Sequence, residues 1–370
     1  MSMSKSLSRL TQVLASFRSP TRHPAHHDGA AAAANSLALA LQGGGSFGAF
    51  TWGVLDRLLE EENVAFDGVS GTSAGAVNAV ALASGLVEGG RAGARRRLES
   101  VWQRISKAAA LAGLPAQSSL LSAAVELSTR FLSPYQFNPL AHNPLGDVLA
   151  AEIDFERLRR ESPVQLIIAA TAVRDGRPRY FVNHEITLEA VLASACVPSL
   201  HQAVQIDGEW YWDGGFTANP PLVSLARLSQ AQDLLLVQII PGEDASLPTS
   251  SSQILRRVQQ IAFNAPLRKE LEQLVGMKEL MLGEKRWASR EELRRLQRLR
   301  LHRIVAENEV EGLAQASAMD LDWRFLTRLR DGGRSAADKW LRARHPSARP
   351  MHGSVPHIPL PPIGREEHES

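Results

Sequence analysis

The 370-residue sequence predicts an α/β fold in which helices cover both faces of a mostly parallel sheet. Short apolar runs of strand length, at residues 36–41, 164–171 and 234–240, alternate with segments whose apolar residues recur at helical spacing. Strands that alternate with helices in this way form a parallel sheet. Because ligands of such sheets bind at the carboxyl ends of the strands, the loops that follow the strands are the candidate functional segments.

The composition is that of a globular domain, with 44% hydrophobic and 22% charged residues. A net charge of +2 is too small to indicate a nucleic-acid partner. The sequence contains no run of about 18 apolar residues, so it predicts no membrane-spanning helix. The single cysteine, Cys196, excludes an intrachain disulfide and provides no cysteine cluster for a metal. We therefore expect a cytoplasmic protein, with peripheral membrane contact as an open alternative, and no metal or organic cofactor.

Composition along the chain predicts four parts. Residues 1–35 are basic and rich in serine but lack the apolar core and cleavage site of a signal peptide, which predicts a disordered leader; a transit peptide or a short surface helix are the alternatives. Residues 36–242 form the core. Within it, residues 91–145 are interrupted by prolines and form a candidate lid. A helical extension covers residues 243–344, and a disordered Pro/His-rich tail covers 345–370.

A glycine-rich loop follows the first strand. Its residues, Gly43, Gly44, Gly45, Ser46 and Gly48, lead into a helix whose free backbone amides favour negative charge. The loop also fits the G-x-G-x-x-G pattern of a dinucleotide site. In that alternative the protein is an oxidoreductase, and Glu62 or Asp67 would hold the ribose.

A second glycine motif, Gly71-Thr72-Ser73-Ala74-Gly75, lies between a predicted strand and a predicted helix. G-x-S-x-G in this setting forms a sharp turn that exposes the serine hydroxyl, and the small flanking residues let the backbone close around it. Ser73 is therefore a candidate nucleophile. The glycine-rich loop would then stabilise the oxyanion formed when Ser73 attacks a carbonyl.

The general base that Ser73 needs is better supplied by Asp213 than by a histidine. His142, His184 and His201 do not lie in a strand-end loop with glycine or acidic neighbours. Asp213 ends a predicted hairpin strand, and Gly214 and Gly215 after it permit close approach of another loop. Aromatic residues beside Asp213 desolvate its carboxylate, which raises its basicity.

The last predicted helix, residues 286–304, is strongly basic and begins at a capping box formed by Ser289 and Glu292. Two interpretations remain open. The arginines can lie on an anionic membrane, or the leucines of the helix can pack on the core in the ordinary way.

Three motifs in this order, Gly43 to Gly48, Gly71 to Gly75 and Asp213-Gly214-Gly215, resemble the patatin-like phospholipase family. Residues 193–198 and Asn219-Pro220-Pro221 extend the resemblance over roughly residues 36–242. It implies a three-layer α/β/α sandwich that hydrolyses lipid acyl esters with a Ser-Asp dyad and no histidine. Carried over, Ser73 is the nucleophile, Asp213 is the base, and the amides of Gly43 to Ser46 form the oxyanion hole.

The chain departs from the family pattern at Phe47, where members commonly carry Arg or Lys. Backbone donors are unaffected, so hydrolysis is still expected, but a cation near an anionic head group is lost. Thioesters and hydroxyalkanoate oligomers therefore remain alternative substrates. A non-catalytic lipid-binding protein is the alternative of another class.

Overall fold

A computed structural model describes residues 36–111, 132–243, 247–282, 291–310, 312–313 and 316–344. The predicted leader and tail and the middle of the candidate lid, residues 112–131, lie outside the described residues.

The described residues contain one eight-stranded mixed sheet. Five strands run parallel in the order β3-β2-β1-β7-β8, and β4, β5 and β6 are antiparallel additions. The predicted parallel sheet is therefore confirmed. The strands are β1 (Ser36–Leu41), β2 (Ala65–Gly71), β3 (Gln165–Ala172), β4 (Pro178–Val182), β5 (Val204–Ile206), β6 (Glu209–Asp213), β7 (Asp233–Gln238) and β8 (Arg300–Val305).

Helices cover both faces of the sheet, which gives the three-layer α/β/α arrangement. Side chains of β1 alternate between two separate hydrophobic cores, with Leu37, Leu39 and Leu41 in one and Ala38 and Ala40 in the other. The helices are α1 (Gly48–Leu58), α2 (Ala74–Leu111), α3 (Pro134–Phe137), α4 (Pro144–Glu152), α5 (Phe155–Glu161), α6 (Leu188–Ser194), α7 (Leu222–Leu228), α8 (Ser251–Leu282), α9 (Glu291–Arg298) and α10 (Trp323–Arg344).

Strands β2 and β6 share one edge of β3. The other edge is occupied by β4, which pairs with residues of β3 that also pair with β2 or with β6. Gly71, the last residue of β2, is opposite Ile168, and Asp213, the last residue of β6, is opposite Ala170. The ends of β2 and β6 therefore face each other across a gap of about one residue, and the turn after Gly71 opens beside Asp213.

The prediction of a basic helix over residues 286–304 is wrong for its last part. Helix α9 ends at Arg298, and residues 300–305 form β8, which pairs in parallel with β7. The leucines that predict a helical face, Leu293, Leu296 and Leu299, all precede β8, so they give no signal for residues 300–305. The extension after residue 242 therefore contributes a strand to the sheet and is not wholly helical.

The C-terminal helix α10 packs closely on α1. A Cβ atom at Gly53 would lie 1.9 Å from the carbonyl oxygen of Arg330, and one at Gly333 would lie 2.0 Å from that of Phe50. Each helix thus presents a glycine to the backbone of the other. This contact fixes α1, and hence the glycine-rich loop that precedes it.

Candidate active site

Ser73 lies in a strained turn between β2 and α2. Its φ of 53° is in the left-handed region, which costs a non-glycine residue about 1–3 kcal/mol. A Cβ at Gly71 would lie 2.4 Å from the carbonyl oxygen of Gly75, and one at Gly75 would lie 2.1 Å from that of Leu41. Both glycines of the motif are therefore needed for the turn to close, as a nucleophile elbow requires.

Two hydrogen bonds hold this turn against the end of α6 and the loop that follows β6. The Ser73 amide donates to Oγ of Ser194 at 2.9 Å, and the Thr72 hydroxyl donates to the Ala218 carbonyl at 2.7 Å. Ser194 and Thr72 are fully buried. Ser194 lies in the segment 193–198 that carried the resemblance, but sequence reasoning gave its hydroxyl no role.

Asp213 is fully buried at the end of β6. Its Oδ1 accepts the Gly215 amide at 2.7 Å, whereas its Oδ2 has no hydrogen-bond partner among the described residues. Burial raises the pKa of Asp213 to about 7, because desolvation outweighs the lowering effects of the Gly215 amide and of the nearby Ser73 hydroxyl, which lies close to the carboxyl without meeting the geometry of a hydrogen bond to Oδ2. A carboxylate with this pKa is matched to proton transfer near neutral pH.

The glycines after Asp213 permit the close contacts predicted for them. A Cβ at Gly214 would lie 2.2 Å from the carbonyl oxygen of Ala169 on β3. One at Gly215 would lie 2.4 Å from the ring of Phe263 on α8. The loop is thus wedged between the sheet and α8, which fixes the position of the Asp213 carboxyl.

The glycine-rich loop lies directly against Ser73, since a Cβ at Gly43 would be 2.8 Å from Cβ of Ser73. Its amides are not equivalent. The Gly43 amide donates to Oδ1 of Asn219 at 2.7 Å, and the Ser46 amide donates to the Ala318 carbonyl at 2.8 Å. Within the described part of the chain, no hydrogen bond engages the amides of Gly44 and Gly45, so these two are the available donors.

A buried amide network fixes the start of the loop. Oε1 of Gln42 accepts the amides of Ile239 and Ile240, and its Nε2 donates to Oδ1 of Asn264 at 2.9 Å. Asn219 donates in turn to the Phe263 carbonyl at 3.1 Å. Sequence reasoning missed Gln42 and Asn264, because a polar residue next to a glycine run gives no signal of a partner about 200 residues away.

Phe47 does not line the site. Its ring is buried and makes an edge contact with Phe325 of α10, with 6.5 Å between the ring centroids. The residue that replaces the usual cation is therefore part of the docking of α10. The part of the loop that lies against Ser73 consists of glycine and serine rather than of an apolar side chain.

The other candidate residues lie elsewhere. Among the described residues no histidine hydrogen-bonds to Ser73 or Asp213, and His142 is largely exposed near Asp147. Asp67, a candidate ribose ligand, instead accepts hydrogen bonds from Ser229 and Gln230. Burial raises the pKa of Cys196 to about 12, so its thiol stays protonated.

The basic segment is only partly described, since Arg286 and Arg290 lie outside the described residues. Leu296 and Leu299 are buried in the second core, which supports packing on the core for this part of the segment. Arg300 pairs with the buried carboxylate of Asp233 at 2.7 Å. Across the described ranges, no helix is long and apolar enough to cross a bilayer, and no cluster of His, Cys, Asp and Glu could hold a metal ion.

A sequence model of the patatin-like phospholipase family matches residues 39–226, just over half of the chain, which includes Ser73, Asp213 and the glycine-rich loop. The chain belongs to the patatin-like phospholipase family, and thus to a family of lipid ester hydrolases.

Individual relatives are more distant. The uncharacterized protein YjjU of Escherichia coli K12 is 24% identical over 222 residues, which are 56% of this chain and 53% of that protein. The chain therefore spans about half the length of this curated relative. VipD of Legionella pneumophila has 14% identity and a TM-score of 0.42 over 83% of this chain and 67% of its own. The ExoU-SpcU complex of Pseudomonas aeruginosa gives 19% identity and a TM-score of 0.32 over 84% of this chain and 52% of that one.

Proposed function

We propose that the protein is a serine acyl hydrolase that cleaves lipid carboxylic esters with a Ser73-Asp213 dyad. The observation that carries this proposal is the meeting of β2 and β6 on one edge of β3, which places a strained serine beside a fully buried aspartate. The Oδ2 atom of that aspartate has no hydrogen-bond partner among the described residues and is free to accept the serine proton.

The proposed reaction begins when Oγ of Ser73 attacks the ester carbonyl and its proton passes to Asp213. The amides of Gly44 and Gly45 stabilise the oxyanion. Each such donor typically contributes about 3 kcal/mol to transition-state stabilisation. As the tetrahedral intermediate collapses, the alcohol leaves with the proton from Asp213, and an acyl group remains on Ser73.

Deacylation reverses these roles. Asp213 takes a proton from water as the water oxygen attacks the acyl-enzyme carbonyl, and the same amides hold the second oxyanion. The carboxylic acid then leaves, and Ser73 recovers the proton from Asp213. The step needs a base that is basic enough to take the proton and still largely ionised near neutral pH, and a carboxylate whose pKa is raised to about 7 meets both requirements.

The substrate class is proposed from the family alone. Within the described residues, the loop beside Ser73 carries no cation that could bind an anionic head group. The position where members of the family commonly carry Arg or Lys is occupied by Phe47, whose side chain is buried. Thioesters and hydroxyalkanoate oligomers therefore remain second candidates. A panel of phospholipids, lysophospholipids, monoacylglycerols, acyl thioesters and hydroxybutyrate oligomers distinguishes these classes.

The test of the dyad compares Ser73→Ala and Asp213→Asn with wild type on a soluble chromogenic ester. Both variants should lose at least about a thousandfold in kcat/KM, as expected when a nucleophile or its base is removed. Ser84→Ala is the matched control, because Ser84 is a buried serine on α2, the helix that follows Ser73, and its hydroxyl donates to Glu88. Wild-type rates in both dyad variants would refute the proposal.

A further inference from the structure

Helix α8 carries an unusual exposed face in its first half. Apolar residues that recur at the helical spacing i, i+4, i+7 and i+11 are exposed to solvent there. Ile254, Val258 and Ile261 are 47%, 55% and 54% exposed. We call this face the α8 stripe; it consists of Ile254, Leu255, Val258, Ile261, Ala262 and Ala265.

The opposite face of α8 is firmly packed on the protein. Leu267, Leu271 and Leu274 belong to the second hydrophobic core together with side chains of β1 and β7. Asn264 donates to the Pro241 carbonyl at 2.9 Å and accepts from Gln42, which follows β1. The helix is therefore fixed at the carboxyl edge of the sheet, and its exposure is not that of a loose segment.

The α8 stripe extends beyond that edge. Ile254 lies ten residues before Asn264, which corresponds to about 15 Å along a helix. The edge is also where Ser73 and the glycine-rich loop lie. Phe263 links the two, because its ring contacts Phe216 at 5.0 Å between centroids and closes on Gly215 beside Asp213. A partner surface that covered the α8 stripe would thus lie next to the entrance of the site that contains Ser73.

The charge around the α8 stripe indicates what kind of partner surface binds there. Residues 247–269 contain no aspartate or glutamate and carry four cations, Arg256, Arg257, Arg268 and Lys269. Arg268 and Lys269 are exposed at the end of the stripe. An apolar helix face flanked by cations is suited to an anionic bilayer surface. A second copy docked through the same face would meet these cations with a segment that has no acidic residue, so charge complementarity does not favour self-association.

We infer that the α8 stripe docks the protein on an anionic lipid bilayer, with the apolar side chains in the interface and the site entrance facing the lipid. This relocates the membrane contact from the predicted basic segment, whose described leucines are buried, to α8. The docking itself goes beyond the proposed function. Its role in delivering substrate to Ser73 rests on that function.

The test is flotation with vesicles of phosphatidylcholine and of phosphatidylcholine mixed with phosphatidylglycerol, in a Ser73→Ala background that leaves the lipid intact. The triple variant Ile254→Ser, Val258→Ser, Ile261→Ser should lower the partition coefficient by at least about tenfold. The control variant Gln259→Ser, Gln273→Ser changes exposed residues of the same helix outside the stripe and should bind as the parent does. The variant Arg268→Gln, Lys269→Gln should lose the preference for the anionic vesicles.

Failure of the parent to float with either vesicle would overturn the inference. An equal loss of vesicle binding in the triple variant and in the control variant would also overturn it. Dissociation of a dimer by the triple variant without vesicle binding would identify a second copy as the occupant, and a higher rate on a soluble ester would identify a covering segment of the chain. If the triple variant fails to fold, Val258→Ser alone and the Arg268, Lys269 pair repeat the test. Hydrolysis that depends on Ser73 without vesicle binding contradicts the docking alone, whereas vesicle binding without such hydrolysis contradicts the proposed function alone.

Discussion

Replacement of Asp213 by asparagine should abolish hydrolysis and at the same time stabilise the fold at alkaline pH. Asp213 is fully buried, and burial raises its pKa from 3.8 to about 7. Above pH 7 the folded protein must therefore hold an ionised carboxylate that the unfolded chain ionises much more easily. Asparagine keeps the acceptor for the Gly215 amide but cannot ionise.

The sign and size of the effect follow from linkage between protonation and folding. A carboxyl whose folded pKa is raised binds its proton more tightly in the folded state, so its stability contribution is complete below pH 4 and is lost as the pH rises toward 7. A shift from 3.8 to about 7 corresponds to roughly 4 kcal/mol above that range. The amide placed at Oδ2 offsets about 1–3 kcal/mol of this, because its N–H groups have few acceptors there.

The assay is urea unfolding of wild type and Asp213→Asn across the pH range. The stability advantage of the variant should grow by roughly 2.5 kcal/mol between pH 5 and pH 8. Asp233→Asn is the comparison variant, for which we expect a change in stability of the opposite sign. Burial acts to raise the pKa of Asp233, but its contacts with His302, Arg300 and Arg344 outweigh burial and hold the pKa well below its usual range. That variant should therefore be destabilised near neutral pH, and the deficit should disappear in acid. A difference between Asp213→Asn and wild type that does not change with pH would refute the assignment of Asp213 as a buried, readily protonated base.

Four further outcomes are expected. The kcat/KM for a soluble ester should fall about tenfold for each pH unit below about 7, since Asp213 must be ionised to accept the proton; a flat pH profile down to pH 5 would contradict this. Asn219→Ala removes the acceptor of the Gly43 amide and should lower kcat by about ten- to a hundredfold with little change in KM, as steady-state kinetics would show. Gly53→Ala places a methyl group 1.9 Å from the Arg330 carbonyl oxygen and should cost several kcal/mol, roughly the upper range for point mutations, in urea unfolding. Gly276→Ala, at a helical glycine with no atom within 4 Å of its Cβ position, should instead stabilise by about 0.5–1 kcal/mol, and a loss in this variant would contradict the packing described for α8.

Local patterns predicted the local parts of the fold well. The run after the leader forms β1, and the two glycine motifs lie at strand-to-helix turns. The dipeptide Asp207-Gly208 likewise predicts the turn of the hairpin that ends at Asp213, and both residues have positive φ. These features depend on short-range sterics, and glycine and serine spacing therefore reports them directly.

Long-range pairing could not be predicted from the same signals. The helical spacing of Leu293, Leu296 and Leu299 predicts a helix that continues to Ile304, whereas the ladder with β7 and the bonds of Arg300 to Asp233 make residues 300–305 a strand. In the glycine-rich loop, sequence motifs predicted four equivalent amides. Only three-dimensional contacts reveal that Asn219 and the Ala318 carbonyl engage two of them.

Ala318 and its neighbour Ser317 support the glycine-rich loop, although neither residue belongs to the motifs that resemble the family. The Ala318 carbonyl accepts the Ser46 amide, and that of Ser317 accepts the Ser46 hydroxyl at 3.2 Å. A Cβ at Gly45 would lie 2.2 Å from the Ala318 oxygen. A segment beyond residue 226, where the family match ends, therefore supports the loop that we propose as the oxyanion hole.

The central claim is that Asp213 activates Ser73 as the nucleophile. Labelling with a fluorophosphonate probe, followed by peptide mapping, tests it most directly because only an activated serine reacts. We expect one label on Ser73 in wild type and in Ser84→Ala, none in Ser73→Ala, and labelling slowed by at least about a hundredfold in Asp213→Asn. A label on another residue, or equally fast labelling of Asp213→Asn, would contradict the claim.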